Sequence, residues 1–265
     1  MRRVFHALAL CAGRLAVAAA GFVLFGGAAF AQPSSPELAD MFARGDYMEA
    51  AVQAEAKVSA NDLAFAARSL LAHCMTGVQD PETAIVDRAS KDAEAALKLD
   101  PQLEEGKLQL AIALSLKSRT MGVLDAWSAG YGDKGRDLAN QVLLKDPGNF
   151  YAHGFLAVWN LEVYRRGGSI GAAFMGASMK DARWHYAEAV RLAPDDVGIH
   201  WQYGRALAAL DVKQYGAEAI AALERAVAAN AGDHVEKVMQ DRAVRLLQAL
   251  KGDRRTAQAL ARQLL

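Results

Sequence analysis

The chain has 265 residues, of which 53% are hydrophobic and 23% are charged, and its 30 lysines and arginines balance its 30 aspartates and glutamates. This length is enough to build one large hydrophobic core without disulfides or metals to brace it. Because the chain has no excess of positive charge, its composition argues against nucleic acid as the main partner.

The first 31 residues resemble a secretory signal peptide. Three arginines precede or border an apolar run at residues 15–30, and a small-x-small cleavage signal ends at Ala31. The run of 16 residues is shorter than the roughly 20 that span a bilayer. We therefore expect cleavage after Ala31, a single domain at 32–265, a periplasmic or secreted location, and no stable membrane insertion. The general secretory and twin-arginine export routes both stay open.

Loss of this segment changes the charge and the cysteine count. All three arginines leave with it, so 27 basic residues face 30 acidic ones and the net charge becomes −3. This charge argues against an anionic membrane surface as a partner. Cys74 is then the only cysteine, which excludes an intramolecular disulfide. Its apolar surroundings in the stretch LLAHCM predict a buried, unreactive thiol.

One phrase recurs along the rest of the chain, as AALKLDPQ (95–102), QVLLKDPGN (141–149), AVRLAPDD (189–196) and RAVAANAGD (225–233). Each version predicts the end of an amphipathic helix, because proline cannot continue a helix and disfavours the helical conformation in the residue before it. Between these ends, apolar residues recur at three- and four-residue spacing and almost never alternate. The pattern predicts pairs of helices and no sheet.

The spacing resembles the tetratricopeptide repeat, a helix–turn–helix unit of 34 residues. Its signature is a large and then a small residue in the first helix, followed by small, aromatic, small and proline in the second. The corresponding residues here are Leu156, Ala157, Ala182, Tyr186, Ala189 and Pro194. The resemblance implies an all-α solenoid with a concave side, in which each unit buries its apolar face against its neighbours.

We expect about six helix pairs, with insertions in two central units. The resemblance covers nearly the whole of 32–265 and is most specific over 149–231. The region 104–211 is also similar, more loosely, to tetratricopeptide proteins of the regulator-of-microtubule-dynamics type, which implies the fold but not a cytoskeletal role. The expected pairs are 36–58, 61–99, 104–145, 149–192, 196–229 and 234–264.

The two central units are longer than the signature, which separates its two small residues by 12 positions. Ala111 and Gly135 are 24 residues apart, and Ala157 and Ala182 are 25 apart. Insertions at the same point of adjacent repeats emerge side by side on one face. They either present an adaptable apolar surface or fold down to enlarge the core and plug the groove. The candidate surface residues are Met121, Trp127, Phe174 and Met175.

The second insertion contains RRGGSIGAAFMGASMK (165–180), in which Gly171 and Gly176 have the spacing of a phosphate-binding loop. That loop also needs a lysine after the second glycine and a strand before the first. Ala177 occupies the lysine position, and the pattern predicts no strand. We therefore expect no nucleotide site here.

No motif for catalysis or metal binding stands out. The chain has no HExxH, no pair of cysteines at metal-ligand spacing and no nucleophile motif in the expected context. His153 and His200 occupy the same place in successive units, where a packing residue is usual, so we expect them to fill the core. The sequence thus predicts a protein without cofactor, metal or enzymatic activity.

In repeats of this kind, one stripe of each first helix faces the concave groove. The residues that fall on this stripe are Leu108, Ile112, Tyr151, Val158, Leu161, Trp201, Gln202 and Arg205. The predicted groove is apolar with one polar end, and it lacks the lysines and asparagines of a carboxylate clamp. A periplasmic scaffold that binds a protein or peptide partner is the leading interpretation. An apolar small-molecule-binding accessory protein of a transport system is the alternative, and self-association is also possible.

Overall fold

The computed structural model describes residues 33–77 and 81–264, and these residues form thirteen helices and no strand. The predicted all-α class is confirmed. The predicted signal peptide and its cleavage site lie outside the described residues. The helices are α1 (Pro36–Arg44), α2 (Tyr47–Glu55), α3 (Ala60–Thr76), α4 (Thr83–Leu99), α5 (Glu104–Arg119), α6 (Val123–Ser128), α7 (Tyr131–Lys145), α8 (Phe150–Met175), α9 (Met179–Leu192), α10 (Val197–Leu210), α11 (Val212–Ala228), α12 (His234–Lys251) and α13 (Arg254–Gln263).

The recurrent phrase ends helices as predicted. Helices α4, α7 and α9 each stop two residues before the proline of their phrase. Helices α8 and α10, which follow α7 and α9, begin with side-chain caps: Asn149 accepts a hydrogen bond from the amide of Ala152, and Asp196 accepts one from the amide of Ile199. These caps satisfy amides that have no partner within the helix. Helix α5, which follows α4, begins after Leu103 without a side-chain cap. Proline and cap together fix where α7 ends and α8 begins, and where α9 ends and α10 begins.

Five helices form a closed ring, in which α3 contacts α5, α5 contacts α8, α8 contacts α10, α10 contacts α12, and α12 contacts α3. We call this set the helix ring. Helices α4, α7, α9 and α11 each pack against two consecutive members of it. The arrangement therefore has an inner set of five helices and a second set of four, each of which packs against two neighbouring helices of the inner set.

The ring is closed by contacts between distant parts of the chain. The guanidinium of Arg242 in α12 donates hydrogen bonds to the carbonyl oxygens of Met75, Thr76 and Gly77, where α3 ends. The hydroxyl of Tyr47 lies 3.2 Å from Nδ1 of His234. Because these pairs are more than 160 residues apart in sequence, the contacts tie the first helices to the last.

The second insertion continues a helix rather than forming a separate loop. Helix α8 runs on to Met175 through a kink at Gly168, whose φ of 62° and ψ of −166° favour glycine. Gly176 then ends the helix in the left-handed conformation, and Ser178 caps α9. Two glycines of the phosphate-loop-like stretch, Gly168 and Gly176, therefore form a kink and a helix end.

Candidate functional site: an apolar cavity within the helix ring

A partly enclosed cavity of about 800 Å³ lies within the helix ring. All five ring helices contribute to its wall, together with α1, α6 and the start of α7. Apolar side chains such as Ile112, Phe155, Val158 and Met239 form much of that wall. The volume falls in the range of about 300–1,000 Å³ that is typical of small-molecule sites.

Six of the eight residues predicted to face a groove line this cavity, namely Leu108, Ile112, Tyr151, Val158, Gln202 and Arg205. Leu161 and Trp201 do not, which corrects their expected placement. Both are fully buried in a hydrophobic cluster that also includes residues of α11 and α12. Consecutive residues of a helix point about 100° apart, so when Gln202 faces the cavity Trp201 turns into the core.

The insertions form part of the cavity wall and remain partly exposed. Trp127, Phe174 and Met175 line the cavity, whereas Met121 does not. The rings of Trp127 and Phe174 meet edge to face, with centroids 5.4 Å apart. We call the exposed apolar residues that also line the cavity the apolar rim; they are Val123, Leu124, Trp127, Ile170 and Phe174.

Arginine side chains join the two insertions. Arg166 donates hydrogen bonds of 2.9 Å to the carbonyl oxygens of Ser118 and Met121, and Arg136 donates one of 2.8 Å to that of Met175. The Trp159 indole N–H also donates to the Gly132 carbonyl at 2.9 Å. These bonds place the insertions side by side on one wall of the cavity.

A cluster of charged side chains lies on the wall formed by α8 and α10. Glu162 accepts a hydrogen bond of 3.0 Å from Arg205 and one of 2.8 Å from Arg165. Burial acts to raise the pKa of Glu162, but the charges of Arg205 and Arg165 outweigh it, so the pKa is lowered. Glu162 is therefore held as a carboxylate between two guanidinium groups.

The cavity wall also has an acidic region, where α10 and α12 begin. Asp196 and Asp233 cap these helices, and Glu236 accepts a hydrogen bond from the amide of Gly232. Burial raises the pKa of the Asp196 carboxyl group. Burial and the charges of Asp233 and Asp196 raise that of Glu236. All three carboxyl groups line the cavity.

His153 and His200 are buried, as the sequence predicted, and each supports a turn. The Nε2 atom of His153 lies 3.2 Å from the carbonyl oxygen of Pro147, and that of His200 lies 2.7 Å from that of Pro194. Because a carbonyl only accepts, each Nε2 carries the proton. Across residues 33–77 and 81–264, no group of three or more histidine, cysteine, aspartate or glutamate side chains is arranged to hold a metal ion.

Sequence reasoning missed several wall residues, including Arg68, Glu162, Arg165, Arg166 and Met239. The predicted stripe covers only the first helices of the three central units and therefore includes no residue of α3 or α12. Glu162 and Arg165 are three residues apart, which is a spacing at which oppositely charged side chains of one helix can pair. Nothing in the sequence showed that Arg205 of the next unit would join them.

No known protein-family model matches this chain, and no curated protein matches it at a significant level. Within the part of the chain that the structure describes, no helix combines the length and apolar character needed to cross a membrane.

Proposed function

We propose that this chain is an exported, non-catalytic binding protein built as a tetratricopeptide-like solenoid of about six helix pairs. The helix bounds support the repeat assignment, because they lie within a few residues of the six expected pairs. The signal-like segment at residues 1–31 supports export to the periplasm or beyond. The largely apolar character of the cavity wall supports binding rather than chemistry.

The occupant that best suits the cavity is an apolar small molecule or alkyl chain. The observation that carries this proposal is an apolar space of about 800 Å³ inside a ring of helices. A peptide brings an N–H and a C=O at almost every residue, and each buried one needs a hydrogen-bond partner. The apolar part of the wall offers few such partners, whereas an alkyl chain needs none. This favours the small-molecule alternative over the peptide groove.

A protein partner is the second candidate, and the apolar rim favours it. Leu124, Ile170 and Phe174 are 73%, 85% and 73% exposed, and all three line the cavity. Exposed apolar clusters of this kind often mark interaction surfaces. A partner protein that covered the apolar rim would also contact a ligand that enters or leaves the cavity. Such a contact is what an accessory protein of a transport system needs in order to pass its ligand on.

Calorimetric titration with dodecanol, an uncharged probe, tests the apolar site. Val158 lines the cavity on α8. The larger side chain in Val158→Trp takes up space that the probe needs, so we expect wild-type protein to bind dodecanol and the variant to lose at least about tenfold in affinity.

The matched control is Leu144→Trp, which adds a comparable side chain at a position that is 84% exposed on α7 and outside the cavity wall. This control should bind dodecanol as the wild type does. Absence of binding to the wild-type protein, or equal binding to both variants, would refute the proposed site.

A further inference from the structure

Charge is unevenly distributed over the cavity wall. Arg165, Arg166 and Arg205 line it on the side of α8 and α10, and Glu162 is the carboxylate that lies among them. Three positive charges against one negative leave this group with a net charge of +2. We call these four residues the arginine cluster.

The arginine cluster is held in place by bonds that do not cancel its charge. Arg205 has a side chain only 5% exposed, and it bonds to Glu162 and to the neutral amide of Gln202. Arg166 donates to the oxygens of Ser118 and Met121, which are uncharged. Burial, and then the positive charge of Arg165, lower the pKa of Arg166. Placing unbalanced charge away from water is costly unless something compensates for it.

The acidic region lies at the start of α10, apart from Arg205. Asp196 precedes the helix and Arg205 follows nine residues later, a separation of about 13 Å along the helix axis. Asp233 and Glu236 lie on the wall with Asp196, and burial together with the repulsion between these acidic groups raises the pKa of Glu236. A bound anion would be repelled from the acidic region and attracted to the arginine cluster. An anionic ligand therefore has one preferred orientation, with its charged group at the arginine cluster.

We propose that the arginine cluster binds the carboxylate of an amphipathic ligand whose apolar body fills the cavity, an inference that rests on the proposed function. Guanidinium groups match a carboxylate with paired N–H donors, and such charge-assisted bonds are about twice as strong as neutral ones. Arg165 is the best placed to exchange its bond to Glu162 for one to a ligand, because its side chain is 25% exposed and Glu162 also bonds to Arg205. The ligand class is thus a long-chain or aryl-alkyl carboxylic acid.

The test compares three probes of equal chain length by calorimetric titration at submicellar concentration. They are dodecanoate, dodecanol and dodecyltrimethylammonium. We expect wild-type protein to bind dodecanoate at least about tenfold more tightly than dodecanol, and the cation most weakly. Arg165→Gln should lose most of the preference for dodecanoate and bind dodecanol unchanged, and Arg166→Gln should lose part of it.

Arg183→Gln is the matched control, since Arg183 lies on α9, pairs with Glu218 and does not line the cavity. It should bind all three probes as wild-type protein does, and circular dichroism shows whether each variant folds. Equal affinity of wild-type protein for dodecanoate and dodecanol would overturn the anion site and leave the apolar site standing. Failure to bind any probe would overturn both. Unchanged dodecanoate binding by both folded Arg165→Gln and Arg166→Gln would assign the preference to other residues and overturn the proposal.

Discussion

At Gly204, α10 and α11 approach so closely that hydrogen is the only side chain that fits. A Cβ atom there would lie 2.8 Å from Cγ of Leu223 and 3.1 Å from the carbonyl oxygen of Ala219. Both distances are shorter than ordinary van der Waals contact. Ala182 and Ala189 are likewise fully buried in α9. Small residues at helix contacts are thus what allow neighbouring helices to pack tightly.

Gly204→Ala should therefore destabilise the fold by about 1–3 kcal/mol, because the added methyl group overpacks a full contact. Gly216→Ala in α11 is the control, since a Cβ there meets only Cγ1 of Val212, at 3.5 Å. The control should be neutral or stabilising by up to about 1 kcal/mol through helix propensity. Urea unfolding measures both. Equal stability of the two variants would contradict this account of the contact.

At the scale of elements, the sequence predicted helix ends better than it predicted the insertions. Proline and side-chain caps act locally, so the ends of α4, α7 and α9 followed from a few adjacent residues. The continuation of α8 through Gly168 depends on contacts with another unit, such as Arg166 with the Ser118 carbonyl. The local sequence pattern does not indicate such contacts between different units.

The kink in α8 gives an element-scale prediction. Gly168→Ala should cost about 1–3 kcal/mol, because its backbone conformation is strained for any residue with a side chain. No atom lies within 4 Å of the position that a Cβ would take, so the cost is conformational rather than steric. Gly171→Ala, in the helical stretch after the kink, also meets open space and should be neutral or stabilising. A loss of stability in Gly171→Ala as large as in Gly168→Ala would argue against a kink that requires glycine.

At the scale of the whole molecule, closure of the ring makes the cavity. The contact of Arg242 with the end of α3 joins parts of the chain that no local pattern connects. The sequence therefore predicted a groove with one open side, and the structure has a partly enclosed cavity instead. The same closure brings side chains of α3 and α12, such as Arg68 and Met239, into the wall. Wall residues on central helices were predictable from the repeat, and those added by closure were not.

The central claim is that the cavity holds the apolar body of a carboxylate ligand, with the carboxylate at the arginine cluster. A crystal structure of the protein with 12-bromododecanoate tests it most directly, because anomalous scattering locates the bromine. We predict a bromine peak inside the cavity, against the apolar wall formed by residues such as Ile112 and Val158, and the carboxylate within hydrogen-bond distance of Arg165. A cavity without ligand, or a bromine peak confined to the outer surface, would contradict the claim.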